Sequence, residues 1–168
     1  MIGLRQKHYE KFILFVWFTL VALPTIVSAN EIDLRINGIG LGTSQSTVFR
    51  QLGKPLEIKK GEYDECGGDI RKILRYSGLT IELLGDGNGR NFTVTSIEVS
   101  SSKWLVASKI RVSVSPKSVQ AKFGLPYNKG KEEGLQFYSY INKGNDGFAD
   151  FYFRGNKIVK ISWEYNLC

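Results

Sequence analysis

The sequence predicts an α+β fold: two tandem modules, each a short helix followed by an antiparallel β-meander, with the helices packed on one face of the sheet. Two observations predict it. A capped two-turn helix pattern at residues 41–55 returns seventy-one residues later, at 112–126. After each copy come short apolar/polar alternations separated by Gly- and Asn-rich turns, the pattern of strands with one buried and one wet face. A period this long exceeds that of solenoid repeats and fits a duplicated helix-and-sheet unit.

The first residues change every later count. Arg5, Lys7 and Lys11 precede an apolar run from Phe12 to Val27, and Val27-Ser28-Ala29 sets small residues where a signal peptidase cuts. This is the three-part pattern of an export leader, residues 1–29, with cleavage expected after Ala29. The run contains Pro24 and is shorter than the roughly 20 residues that span a bilayer. The expected location is therefore periplasmic or secreted, without stable membrane insertion; an anchor formed by the uncleaved leader is the alternative.

Of the 168 residues, 23 are Lys or Arg and 16 are Asp or Glu, a formal charge of +7. Losing the leader removes Arg5, Lys7, Lys11 and Glu10 and lowers that charge by two. No basic block is longer than Lys59-Lys60 or Arg71-Lys72, which argues against a nucleic-acid partner. The single histidine, His8, goes with the leader, while Cys66 and Cys168 stay. In an oxidising compartment such a pair is expected to form one disulfide. Closing a loop of about 100 residues stabilises by ~4–5 kcal/mol in the chain-entropy model. Two free thiols are the alternative.

The first module is set at residues 30–102. Ile32, Leu34 and Ile36 alternate, and Asn37-Gly38 turns, so a short lead-in strand is expected. Ser44 suits the N-cap of the first helix. Val48 and Leu52 lie four apart on its buried face, Gly53 suits a left-handed stop, and Pro55 forbids continuation. Residues 56–71 are polar and turn-rich and predict a surface loop. Strands are expected at Arg71–Tyr76, Leu79–Leu83 and Phe92–Val99, the last out of strict alternation and so a candidate for a bulge.

The second module is set at residues 103–168, after the run Ser100-Ser101-Ser102. Ser115 is the expected N-cap, Pro116 stands at the first helical position, where proline is tolerated, and Val119, Phe123, Gly124 and Pro126 repeat the earlier pattern. A polar loop is expected at 128–134, then strands at Leu135–Ile141, Phe148–Phe153 and Lys157–Glu164. Asn145-Asp146-Gly147 and Gly155-Asn156 are the turns between them.

The two helix patterns and their following hairpins resemble the β-lactamase-inhibitor-protein-like fold. The unit also looks like the single-copy domain of the SmpA/OmlA (BamE-type) outer-membrane assembly lipoproteins. The resemblance rests on Ser44, Val48, Leu52, Gly53 and Pro55 with Ser115, Val119, Phe123, Gly124 and Pro126, and covers most of residues 36–164. The chain departs from both. It lacks a lipoprotein cysteine at the cut, and a Cys66–Cys168 bridge would join the halves instead of closing each. No inhibitory loop carries over residue by residue. The resemblance implies a protein-binding module, an inhibitor or an envelope-assembly accessory.

Catalysis is poorly supplied. Without histidine the usual base–nucleophile partnership is missing. A Ser-Lys arrangement is conceivable around Ser113, Ser115, Lys117 and Ser118, but a helix N-cap explains Ser115 more simply. Asp86-Gly87-Asn88-Gly89 starts like a calcium loop, but Ile97 stands where the bidentate acid is needed. No metal or other cofactor is expected. The candidate protein-binding face is Tyr138, Tyr140 and Tyr152 with Asp150 and Lys160, taken as opposite to a buried set of Phe151, Phe153, Val159, Ile161 and Trp163. Exposed tyrosines on adjacent strands supply stiff amphipathic contact area, and loops 59–69 and 128–134 would form the rim. The expected function is an exported, non-enzymatic protein-binding module. The alternatives are a small carboxylate-dependent hydrolase and a purely structural envelope protein.

Overall fold

Ser44 has extended backbone, and its hydroxyl accepts the amide of Thr47, which starts α1 (Gln45–Leu52). Gly53 ends it with φ 75°, its amide returning to the Phe49 carbonyl. The second helix repeats both devices. Ser115 caps α2 (Pro116–Phe123) by accepting the Ser118 amide, and Gly124 stops it at φ 80°. The helix ends are set by short-range chemistry, a cap oxygen and a glycine in a region costly for any residue with a Cβ. The expected caps and stops are observed.

The chain is seen here as a computed structural model that describes residues 31–63, 70–86, 88–107, 109–144 and 147–166. The leader, the Cys66–Cys168 pairing, residues 64–69 of the expected loop and the Asn145-Asp146 turn lie outside the described residues.

Among the described residues, eight strands form one antiparallel sheet. They are β1 (Glu57–Tyr63), β2 (Ile70–Tyr76), β3 (Leu79–Gly85), β4 (Thr93–Val99), β5 (Asn128–Glu132), β6 (Leu135–Ile141), β7 (Gly147–Arg154) and β8 (Lys157–Tyr165). Their spatial order is β1-β2-β3-β4-β8-β7-β6-β5. Two expectations need correction here: 57–63 and 128–132 are strands and not surface loops. Both are edge strands, rich in Lys59, Lys60, Lys129 and Lys131. Lysines at sheet edges discourage further pairing, and a strand beyond the helices has little apolar surface to bury, so the alternation that marks a strand is absent.

The lead-in also differs from expectation. Residues 31–41 make isolated bridges and no regular strand: Ile36 pairs with Ile39 across the Asn37-Gly38 turn, and Ile32 reaches Asn142. Gly42 and Thr43 bond to Val94 of β4. Seventy-one residues on, Ser113 and Val114 bond in the same way to Ile158 of β8.

One face of the sheet carries the core. Leu74, Ile81, Ile97, Trp163, Ala149 and Tyr140 are successive register partners across six strands, and all six are essentially fully buried. Val48 of α1 and Val119 and Phe123 of α2 join the same cluster, and Phe123 packs its ring against Tyr140 and Phe151 at 5.8 and 5.7 Å. The fold is thus α+β, with one eight-stranded antiparallel sheet and two short helices on a single face. Two bulges shift the alternation. Thr95 is the extra residue between the pairs Glu82–Ser96 and Leu83–Val94, and Val159 between Tyr152–Lys160 and Phe153–Ile158. The first is the expected bulge. The second corrects the expected buried set, since Ile158 takes the core position and Val159 is only half-buried.

Candidate functional site: the open face of the sheet

Among the described residues no helix covers the other face, and its register can be followed row by row. One row runs Ser139, Asp150, Ser162, Glu98, Thr80, Arg75 across six strands. A second runs Phe148, Glu164, Ser96, Glu82, Ile73. A short third row holds Phe137, Tyr152 and Lys160. Carboxylates are concentrated on this face although the whole chain is basic.

The face has two parts. Over β2, β3, β4 and β8 lies a polar depression of about 400 Å³ lined by residues such as Thr80, Glu82, Glu98 and Lys160. Two ion pairs lie along it: Arg71 lies 3.6 Å from Glu82, and Lys160 lies 3.9 Å from Glu98. Lys160 also sits over the Tyr152 ring, 4.1 Å from its centroid.

Over β5, β6 and β7 lies a smaller pocket of about 220 Å³, walled by Tyr127, Phe137, Phe148 and Tyr152, with Glu132 and Asp150 beside them. Tyr127 and Phe148 stack at 6.1 Å, 26° between ring planes, and remain 60% and 41% exposed. Phe137 and Tyr152 meet at 6.1 Å. Gly130 of β5 is needed under Phe137, because a Cβ there would come within 2.6 Å of the ring. Tyr152 Oη donates to Glu132 Oε2 at 3.0 Å.

The electrostatics follow from desolvation beneath these rings. Burial pushes the Asp150 carboxyl above its ordinary value; a hydrogen bond from Ser139 opposes the shift, nearby Glu132 adds to it, and Lys160 also opposes it. Burial likewise raises Glu164, reinforced by Asp150 and Glu82. Tyr152 is raised well above the usual phenol range by burial and then by its bond to Glu132, so it remains a donor.

Of the expected binding residues, the structure brings Tyr152, Asp150 and Lys160 together on this face. Tyr138 and Tyr140 are corrections. Tyr140 is 1% exposed, in the core beneath α2, with its hydroxyl bonded to the Gly124 carbonyl at 3.0 Å. Tyr138 is the register partner of buried Phe151 and packs edge-on against Phe153 at 4.8 Å. Both side chains therefore belong to the helix-covered face. Phe137, Ser139, Phe148, Glu132 and Tyr127, which were not expected there, complete the site. In β6 both parities are aromatic, so alternation alone cannot select the outer one; the pairing of Phe137 with Tyr152 does.

The Asp86 carboxylate is used to close its own turn, accepting the Arg90 amide at 2.7 Å and Asn91 Nδ2 at 2.9 Å. Among the described residues no group of three or more His, Cys, Asp or Glu could hold a metal ion, and no helix is long and apolar enough to cross a membrane.

No family model matches the chain, and comparison with curated proteins returns no match. Solved structures similar to it include three from bacteria. An extracellular protein with an SCP domain from Bacillus anthracis is 13% identical with a TM-score of 0.48 over 76% of this chain, which spans 44% of that protein. The uncharacterized protein yfeY from Escherichia coli is 15% identical, TM-score 0.46, over 82% of this chain and 99% of that one. A candidate beta-lactamase inhibitor protein from Streptococcus mutans is 14% identical, TM-score 0.31, over 76% and 85%.

Proposed function

We propose that the chain is an exported, non-enzymatic module that grips a protein partner on the open face of its sheet, with the β5–β7 pocket as the centre of contact. One observation carries this: the exposed, stacked pair Tyr127 and Phe148 beside Phe137 and Tyr152, on a sheet face that no helix covers among the described residues. Rigid aromatic side chains around a partly desolvated pocket are the usual anchors of protein interfaces. Residues 30–168 contain no histidine, and the carboxylates of this face are held by neighbours or by burial, which supports binding over turnover. An inhibitor and an envelope-assembly accessory are both roles that such a module can fill.

The test is capture of partners from the compartment outside the cytoplasm with tagged protein, comparing wild type with the double variant Phe148→Ala, Tyr152→Ala. The double variant should melt cooperatively yet retain a tenth or less of the captured partner, on the order of a hot-spot loss. Equal capture by the two proteins would end this proposal.

A further inference from the structure

Resting on that reading of the face, we propose that the β5–β7 pocket receives an arginine side chain of the partner, guanidinium first. The wall includes four aromatic rings, Tyr127, Phe137, Phe148 and Tyr152, and the charged groups lining it are the carboxylates of Asp150 and Glu132, with neutral Asn128 and Ser139 beside them. Ring faces carry negative partial charge and attract cations, and carboxylates do so outright. Every strong feature of the pocket is therefore complementary to one positive group.

Lys160 and Lys129 do not fill that need, although Lys160 offsets part of the Asp150 charge. Lys160 is spent between Glu98 and the Tyr152 ring, Lys129 lies 5.1 Å from the centroid of the Tyr138 ring, and among the described residues neither Asp150 nor Glu132 forms an ion pair within 4.0 Å. Glu132 instead accepts from Tyr152, which fixes one of its oxygens, while Ser139, only 6% exposed, bonds Asp150 from behind. Both carboxylates are thus oriented before any ligand arrives, and burial has raised the cost of keeping Asp150 charged alone. A cation from outside relieves that cost.

Guanidinium fits better than ammonium. It is planar, weakly hydrated, stacks on aromatic rings and can reach two carboxylate oxygens at once, whereas an ammonium is compact and holds its water tightly. A pocket of about 220 Å³ that is mostly ring surface offers little to replace an ammonium's hydration.

The experiment titrates the full protein with Nα-acetyl-arginine amide, Nα-acetyl-lysine amide and Nα-acetyl-citrulline amide, following backbone amide shifts of Ser139, Asp150 and Tyr152 by NMR. Citrulline keeps arginine's shape without its charge. Arginine should give saturable shifts at millimolar concentration, with affinity at least ~5-fold above lysine and citrulline, and Asp150→Asn should lower it by at least ~5-fold. Citrulline or lysine binding as well as arginine, or no saturable shift at all, overturns the proposal. Partner capture separates this from the broader reading. Capture lost with Phe148→Ala but kept with Asp150→Asn leaves a protein-binding face without an arginine anchor, and sinks the anchor alone.

Discussion

Tyr140 donates its hydroxyl to the carbonyl of Gly124 at 3.0 Å, tying strand β6 to the residue that ends helix α2. Tyr76 of β2 does the same for Gly53 at the end of α1, at 3.1 Å. Burial, then Tyr138, pushes the Tyr140 phenol up to about 12, so the donor persists at any working pH. Tyr140→Phe should lower stability by ~1 kcal/mol, the cost of leaving a carbonyl without its partner. Tyr76→Phe should cost less, because water reaches Gly53. Urea titration would show this as a lower midpoint with an unchanged slope; partner capture should not change for either.

The glycines separate two kinds of constraint. Gly53 has φ 75° and ψ −163°, with open space where a Cβ would point, so Gly53→Ala meets only backbone strain, ~2 kcal/mol. Gly147 lies against the Glu164 carbonyl across the β7–β8 ladder, where an added Cβ would collide with backbone. Gly147→Ala should cost more, about 3 kcal/mol, because the added Cβ must displace the Glu164 carbonyl at this end of the ladder. Thermal melts of the two variants should rank in that order.

Tyr138 and Tyr152, on adjacent strands, should behave oppositely. Tyr138→Ala removes an edge-on contact with Phe153 and should cost ~2 kcal/mol in stability, below the full value for a large core side chain because Tyr138 is only partly buried. Its effect on partner capture should be small. Tyr152→Ala should cost less, ~1 kcal/mol for its lost bond to Glu132, and lower capture by ~10-fold.

Asp150 makes stability depend on pH in a definite direction. Burial holds its carboxyl above the ordinary 3.8, so the folded protein binds that proton more tightly than the unfolded chain does. The resulting stabilisation is complete below the unfolded value and is lost as pH rises through the folded one. Asp150→Asn removes the charge that must be carried above that point. The variant should therefore gain on the wild type as pH rises from about 4, level off once Asp150 is ionised, and be at least as stable near neutrality. Urea denaturation at several pH values checks the sign.

Readability from sequence followed the range of the physics. Helix caps and stops at Ser44, Gly53, Ser115 and Gly124 depend on neighbours within a few residues, and the sequence alone places them. Strand facing depends on which residue lies across the ladder, and there it failed for Tyr138 and Tyr140. The correspondence of Tyr140 with Tyr76 was hidden as well. The helix stops are seventy-one residues apart, yet these two tyrosines are closer, because only Glu133 and Gly134 join β5 to β6 while residues 64–69 separate β1 from β2. The edge strands β1 and β5 were missed for a third reason: with solvent on most sides, their composition is that of a loop.

The last of the described strands, β8, lies at the middle of the sheet, hydrogen-bonded to β4 on one side and β7 on the other. A ribosome therefore delivers both flanks before the strand that joins them. Until Lys157–Tyr165 emerges, β4 and β7 are bare edges whose ladder groups have no partner.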